Sequence, residues 1–178
     1  SKIVAYHEAG HALTSYLLTN VPNPLKVSII PREKGMLGFS QSEYMSEVFL
    51  TKKKIEDMLC VLIAGRLCEK IFFDDITTGA SNDIEKATSL ASQYVKTYGL
   101  GQSSKFMKIE EKGEFKNELS NYLKDKCDKE VLEILEYYYD ECYKLLENNK
   151  DNLKNIASLL LEKKTIYLED IQHIVDNK

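Results

Sequence analysis

Several features that would point to a membrane, nucleic-acid or nucleotide partner are absent from the sequence. No apolar run reaches the roughly 18 residues that a transmembrane helix needs. The net charge is −4 and only two of the 24 basic residues are Arg, so there is no basic patch for nucleic acid and little capacity for bidentate phosphate contacts. None of the eight glycines forms the G-x-x-x-x-G-K loop of an ATP-binding domain. We therefore expect a soluble domain that binds neither nucleic acid nor ATP.

Cysteine and histidine are scarce as well. The four cysteines, Cys60, Cys68, Cys127 and Cys142, form no C-x-x-C pair and fall within helical patterns. This favours reduced, mostly buried thiols over a disulfide or a second metal site, and a reducing compartment. Only three histidines occur in 178 residues. The chain also lacks an initiator Met and opens almost directly in a helix, which indicates a domain taken from a longer protein.

Two of the histidines lie in an H-E-x-x-H pattern formed by His7, Glu8 and His11. Residues four apart lie one above the other on a helix, about 5–6 Å between their Cβ atoms, so both imidazoles can bind one metal ion. Glu8 is rotated by about 100° from His7, which suits a residue that holds a metal-bound water. Gly10 indicates a close approach by another element. The pattern predicts a site for one Zn²⁺ per chain, of the kind that zinc hydrolases use; two histidines placed by chance on an ordinary helix are the alternative.

A catalytic zinc site needs a third protein ligand. The extended pattern with a Gly and a third His is absent, since Thr14 and Leu17 occupy those positions. Asp83 is the predicted ligand, because it lies in the first turn of a helix, where the positive end of the helix dipole favours a carboxylate. The alternative is that Asp83 only caps this helix. His173 has no partner at metal spacing, and we predict a surface or packing role for it.

The hydrophobic pattern predicts a mainly α protein with a small β-hairpin near the site. The first helix is predicted to end at about Thr19, because prolines follow at positions 22 and 24. Residues 26–30 and 37–40 are predicted to be the two strands of the hairpin, joined by a turn at 31–35.

The rest of the chain is predicted to be helical. The helix at 83–98 should be capped by Ser81 or Asn82 and closed by Gly99, and Gly65 indicates close packing in the helix before it. The predicted helices after the hairpin cover residues 51–73, 83–98, 117–148, 150–163 and 168–176, of which the last three form a C-terminal bundle. We expect one domain over residues 1–178, with a zinc-binding lobe at 1–100 and a C-terminal helical part at 101–178.

Four segments, taken together, carry a specific resemblance. They are HEAGH at 7–11, AGRLCE at 64–69, TTGASNDI at 77–84 and LLLEKKT at 159–165. In this order they resemble the peptidase domain of the FtsH family, whose members are membrane-anchored, ATP-dependent zinc metalloproteases, and the resemblance extends over nearly the whole chain. It implies that His7, His11 and Asp83 bind zinc and that Glu8 is the catalytic base.

The resemblance also implies an assembly and a location. The expected fold is a mostly helical metalloprotease domain that forms a homo-hexameric ring beneath an AAA+ ATPase ring. The ATPase domain, which would use the ATP, and the transmembrane segments are absent from this chain. We expect the full-length protein to be anchored in a bacterial inner membrane or a mitochondrial or plastid membrane. There it would degrade unfolded or membrane proteins in protein quality control.

Three departures from the family's pattern bear on ring contacts and loop order. Ala64 replaces the first Gly of the family's Gly-Gly-Arg, the loop at 74–75 is short, and the segment 102–115 is abbreviated. None of them involves a proposed metal ligand.

Two further sets of residues have predicted roles. Glu69 matches a glutamate of the family motif and could orient a metal ligand, although an exposed helical Glu or a salt bridge to Arg66 would also account for it. Gly38, Phe39 and Ser40 are candidates for binding substrate, because an extended peptide can pair with an exposed strand edge regardless of its sequence. The alternative is an ordinary hairpin buried against the first helix.

Two other classes of protein are alternatives to a zinc protease. An inactive scaffold of the same fold would need a broken zinc set, and the H-E-x-x-H residues are intact. A zinc hydrolase that is not a protease would need a small closed pocket. Zinc content and cleavage of an unfolded protein would distinguish the three.

Overall fold

The computed structural model describes residues 1–31, 49–105, 109 and 121–176. This part of the chain contains six α-helices and two short strands: α1 (Lys2–Leu17), β1 (Lys26–Ser28), α2 (Lys52–Phe73), α3 (Ser81–Ser92), α4 (Asn121–Glu147), α5 (Lys150–Lys163), β2 (Thr165–Tyr167) and α6 (Leu168–Asp176). A 3₁₀ turn at Thr78–Ala80 precedes α3, and a π-helix at Gln93–Thr97 continues it. None of the described helices has the length and apolarity that crossing a membrane requires. The predicted mainly α fold is confirmed.

Local capping explains where the first two long helices begin and end. The Ser1 side chain accepts a hydrogen bond from the backbone N of Val4 at the start of α1, and the Thr51 Oγ1 accepts one from the backbone N of Lys54, at 3.1 Å, at the start of α2. The first helix ends at Leu17, slightly earlier than predicted. The second ends at Phe73 and is followed by the C-cap residue Asp74, whose φ of 50° is left-handed.

The predicted cap of α3 is wrong. Ala80 is the N-cap residue and makes no side-chain cap bond, while Ser81 is already the first helical residue. The capping side chain lies one turn earlier, where Thr77 Oγ1 accepts a hydrogen bond from the backbone N of Gly79 at 3.2 Å. The 3₁₀ turn leads directly into α3, so a second cap is not needed. Gly99 has a φ of 60° at the end of the helical segment, as its predicted closing role requires.

The helix α1 lies in the core and packs mainly on α2 and α5. Its contact with α2 is close at Gly10, where an added Cβ would lie 2.6 Å from the Cys68 Sγ and 2.8 Å from the Ala64 carbonyl oxygen. The close approach predicted from Gly10 is therefore confirmed. All four cysteines are free and buried, as predicted. A second apolar cluster joins α2, α3 and α4 on the other side of α2.

The small sheet joins two segments that are far apart in the sequence. The strands β1 and β2 are antiparallel, with Val27 opposite Ile166, and both of these side chains are buried. The predicted strand at 26–30 is thus confirmed over its first three residues, while β2 was not predicted. The predicted partner strand at 37–40 lies outside the described residues.

The bounds of the C-terminal helices agree with the prediction, while α4 packs mainly on α2 and α5 packs mainly on α1. The helices α5 and α6 lie where the periodicity placed them, and α4 ends within a residue of its predicted end. The part of the predicted α4 at 117–120 lies outside the described residues. Leu153, Ile156 and Leu160 of α5 are fully buried and belong to the same apolar cluster as Leu13 of α1. The division into lobes at residue 100 stays a prediction.

Candidate metal centre

Three side chains from two helices bring one ligand atom each to the same point. His7 and His11 lie one turn apart on α1, and their Nε2 atoms are 3.1 Å apart. The Oδ2 atom of Asp83, in the first turn of α3, lies 3.1 Å from the His7 Nε2 and 3.0 Å from the His11 Nε2. Within the described ranges, no other three His, Cys, Asp or Glu side chains are grouped closely enough to hold a metal ion.

The spacing and chemistry of these donors fit a tetrahedral metal ion. A zinc ion with ligand distances of about 2.0–2.1 Å holds its tetrahedral ligands about 3.3 Å from one another. The three observed separations of 3.0, 3.1 and 3.1 Å are close to that value. Two imidazoles and one carboxylate also leave a fourth position for water, which is the arrangement of a catalytic zinc site.

The other ring nitrogen of each histidine faces an acceptor. The His11 Nδ1 donates to the carbonyl oxygen of Val61 at 2.6 Å, which leaves its Nε2 to face Asp83 and His7. The His7 Nδ1 lies 3.6 Å from the Oε1 of Glu69. Acceptors in these positions set the tautomer and the ring orientation that metal binding needs.

Glu69 is buried at 2% exposure behind His7. Its Oε1 accepts a hydrogen bond from the Thr77 hydroxyl at 2.6 Å, and its Oε2 accepts one from the Thr77 backbone N at 3.4 Å. The alternative of an exposed glutamate is therefore excluded, and no ion pair between Glu69 and Arg66 is found in the described part of the chain. The proposed role in orienting His7 stays a prediction.

Gly65 makes room for the two imidazoles. An added Cβ at this position would lie 2.6 Å from both the His11 Nε2 and the His7 Nε2. Val61, Gly65 and Glu69 follow one another at intervals of four residues, so they lie on one face of α2. This face contacts the group formed by His7, His11 and Asp83, which we call the metal cluster. The sequence indicated close packing at Gly65, but it did not show that the packing partners were the predicted ligands.

Glu8 differs from its neighbours in having no partner. It is only 4% exposed, yet it makes no hydrogen bond or ion pair with any residue that the structure describes. Its charge contributes to raising the pKa of His11, so its carboxylate lies close to the metal cluster. Among the described residues, its oxygens are not counted with the fully enclosed side-chain atoms that lack a hydrogen bond, so a water molecule can reach the carboxylate, as a general base requires.

The electrostatics of the cluster keep Asp83 ionised. Burial alone would raise the pKa of Asp83, but hydrogen bonds from His11 and His7 and the attraction of both rings outweigh burial and hold that pKa well below its usual range. Burial lowers the pKa of His11, and the contact with Asp83 and the charges of Asp83 and Glu8 more than reverse this. The carboxylate is thus in the form that binds a cation.

The other candidates are placed differently. His173 is exposed on α6 and does not join the metal cluster, in agreement with its predicted surface role. Asp83 faces the histidines, so it does more than cap α3. Gly38, Phe39 and Ser40 lie outside the described residues, and their role in substrate binding stays a prediction.

Comparisons with known proteins identify the family of the chain. The chain is 37% identical over 98% of its length to the ATP-dependent zinc metalloprotease FtsH 4 of Synechocystis sp.. It is 36% identical over 99% of its length to the ATP-dependent zinc metalloprotease FtsH of Clostridium perfringens, and 33% identical over 99% to the mitochondrial ATP-dependent zinc metalloprotease FTSH 10 of Arabidopsis thaliana. It spans only 30%, 26% and 22% of the length of these relatives, respectively. A family model described as Peptidase family M41 matches residues 1–174, and the chain therefore belongs to this family.

Proposed function

We propose that this chain is the zinc peptidase domain of an FtsH-type ATP-dependent protease and that it hydrolyses peptide bonds. The observation that carries the proposal is the convergence of His7, His11 and Asp83 within 3.0–3.1 Å of one another. The buried, unpaired carboxylate of Glu8 next to this cluster supplies a group that can move a proton. Membership of family M41 and the names of the relatives support the same activity.

Each residue has a distinct part in the proposed reaction. His7, His11 and Asp83 would hold one Zn²⁺. When bound, the zinc ion would supply a water of lowered pKa, about 7, and Lewis acidity toward the scissile carbonyl. Glu8 accepts the proton of the attacking water and passes it to the leaving amine. Val61 and Glu69 hold the two imidazoles in the orientation that zinc binding needs.

The proposal extends to the protein from which this domain derives. Its substrates are unfolded or membrane proteins, and it acts as a membrane-anchored homo-hexamer in a bacterial or organelle membrane. ATP is used by a separate ATPase domain. The resemblance to the FtsH family supports the ring and the anchor, and the relatives' names support ATP dependence.

Zinc content and proteolysis, measured on the purified 178-residue chain, test the proposal. We expect about one zinc per chain and cleavage of an unfolded protein such as reduced casein. Glu8→Gln should keep the zinc and lower kcat by about 10²–10⁴-fold, because only the proton transfer is removed. Glu85→Gln, at an exposed position of α3, is the matched control and should cleave like the wild type. A metal-free wild type, or full turnover by Glu8→Gln, would contradict the proposal.

A further inference from the structure

The hydroxyl of Thr77 contacts two segments that lead to different members of the metal cluster. Its Oγ1 donates to the Oε1 of Glu69 at 2.6 Å and accepts a hydrogen bond from the backbone N of Gly79 at 3.2 Å. The same Oε1 of Glu69 lies 3.6 Å from the His7 Nδ1. Gly79 belongs to the 3₁₀ turn that leads into α3, the helix of Asp83. One side chain therefore touches both the group behind His7 and the turn that precedes Asp83.

The first contact sets the direction of a buried carboxylate. Glu69 is only 2% exposed, and besides the hydroxyl it accepts the backbone N–H of Thr77 on its Oε2, at 3.4 Å. Both oxygens are thus held from the loop that follows α2. A hydrogen bond to an ionised acceptor is stronger than one between neutral groups, so the hydroxyl is well suited to fix the carboxylate. Without it, the carboxylate can turn away from the ring of His7.

The second contact lies where the chain enters α3. The N-cap residue of α3, Ala80, makes no side-chain cap bond, and the capping side chain is that of Thr77, at the start of the 3₁₀ turn. Ala80 is fully buried, so this turn is packed into the protein. Asp83 lies in the first turn of α3, and a shift of the 3₁₀ turn would move its carboxylate. Ligand distances in a metal site vary by only about 0.2 Å, so a small movement weakens binding.

We propose that Thr77 is a positioning residue that couples two ligands of the metal cluster: its hydroxyl holds Glu69 against His7 while it caps the turn that presents Asp83. The inference rests on the proposed zinc peptidase function. A hydroxyl has one proton and two lone pairs, so one Oγ1 can make both bonds at once. Donation to a carboxylate polarises the hydroxyl and strengthens the bond that it accepts. The orientation of His7 and the place of Asp83 then depend on the same atom.

Metal binding by three variants tests the coupling. Thr77→Val keeps the shape of the side chain without the hydroxyl and should lower zinc affinity about tenfold or more, as loss of a group that orients a metal ligand does. Thr77→Ser retains the hydroxyl and should stay within about twofold of the wild type. Competition with a chelator measures both affinities. The absorption spectrum of the cobalt-substituted chain reports ligand number and geometry, and it should change in Thr77→Val but not in Thr77→Ser.

Three controls separate positioning from a general loss of stability. Thr78→Val makes the same chemical change at the exposed neighbouring position. Ile171→Val destabilises the fold from a fully buried position of α6, a helix that packs on α5 and β2. Gly79→Ala keeps the backbone N that donates to Thr77. All three should bind zinc and cobalt like the wild type, although Ile171→Val should unfold at a lower urea concentration.

Double-mutant cycles test each of the two connections. If Thr77 acts through Glu69 and on Asp83, Thr77→Val should cost about threefold or less in zinc affinity once Glu69→Ala or Asp83→Ala is present, because residues that share a path are not additive. A loss as large in either background as in the wild type would overturn the coupling.

The results also separate this inference from the proposed function. Folded Thr77→Val protein with the zinc affinity and cobalt spectrum of the wild type would overturn the role of Thr77 while leaving the peptidase function intact. If Thr77→Val does not fold, Thr77→Ala takes its place in the comparison with Thr77→Ser, and equal zinc affinities would again overturn the proposal. A zinc-loaded wild type that cleaves no unfolded protein would instead contradict the peptidase function, and the binding measurements would still decide the role of Thr77.

Discussion

The Asp83 Oδ2 lies 3.0 Å from the His11 Nε2, although 72 residues separate the two in the chain. The contact depends on the packing of α3 against α2, and of α2 against α1. The candidate ligand set therefore depends on the folded protein rather than on the H-E-x-x-H helix alone.

The contact between Asp83 and His11 predicts that zinc affinity falls by different amounts in two variants. Asp83→Ala removes a donor atom and should lower zinc affinity by more than Glu69→Ala, which removes no donor atom but the acceptor that faces the His7 Nδ1, and should cost about 10–100-fold. Competition with a chelator, followed by atomic absorption, measures both. Glu162→Ala, on α5, is a control that should bind zinc like the wild type. A larger loss for Glu69→Ala than for Asp83→Ala would move the third ligand to Glu69.

Gly65→Ala should disrupt the metal centre without removing any donor. The new Cβ would lie 2.6 Å from the Nε2 atoms of both His7 and His11, so the rings or α2 must move. Because a buried ring has little room to shift, we expect zinc affinity to fall about tenfold or more. Gly79→Ala, whose Cβ meets only the Thr77 Oγ1 at 3.2 Å, is the matched control. Equal zinc affinity in the two variants would show that the close contact between Gly65 and the two histidines does not matter for metal binding.

The bond between Thr77 and Glu69 should stabilise the fold. Thr77→Val keeps the shape of the side chain but removes the hydroxyl that donates to the Glu69 Oε1 at 2.6 Å. A buried carboxylate then loses a partner, which should lower the free energy of unfolding by about 1–3 kcal/mol. Thr78→Val, at the exposed neighbouring position, should change it by less than about 0.5 kcal/mol. Urea denaturation of the metal-free proteins measures both, and equal midpoints would refute the expected contribution.

The buried thiols should react slowly. Burial, with the nearby charges of Asp57, Glu141 and Glu56, raises the pKa of Cys60 from 9.0 to about 12. At pH 8 the thiolate fraction is then about a thousandfold below that of an unperturbed thiol, and it rises about tenfold per pH unit until pH 12. Alkylation by iodoacetamide, followed by mass spectrometry, should show this slow, pH-dependent reaction in the native protein and rapid reaction in urea. A native rate at pH 8 equal to the rate in urea would contradict the raised pKa.

The sequence was most informative where local patterns determine the structure. The apolar spacing in α2, α5 and α6 located these helices closely, because α5 and α6 each bury one face and α2 is buried on two sides. The H-E-x-x-H spacing also identified two members of the metal cluster, because the two histidines lie one turn apart on the same helix. The prediction of Asp83 as the third ligand required either its place in the first turn of α3 or the family resemblance. The structure places Asp83 within reach of both histidines.

Features that depend on distant contacts were missed. The strand β2 has only three residues and no periodicity of its own, so its pairing with β1 has no local signal. The burial of Glu69 follows from the hydrogen bonds that Thr77 donates, and these depend on the path of the loop. The cap of α3 was misassigned because a 3₁₀ turn precedes it, and a pattern of Ser and Asn residues does not distinguish the two kinds of helical turn.

The pairing of β1 with β2 has a consequence for the order in which the protein matures. The H-E-x-x-H helix is synthesised before α5, on which it packs, and β1 next to it finds its partner only at Thr165–Tyr167. During translation, α1 is therefore left without these neighbours until residues beyond 167 have left the ribosome. A nascent or prematurely ended chain carries both histidines but lacks the packing that holds them in place. We therefore expect the candidate metal centre to form only after α5 and β2 have been synthesised.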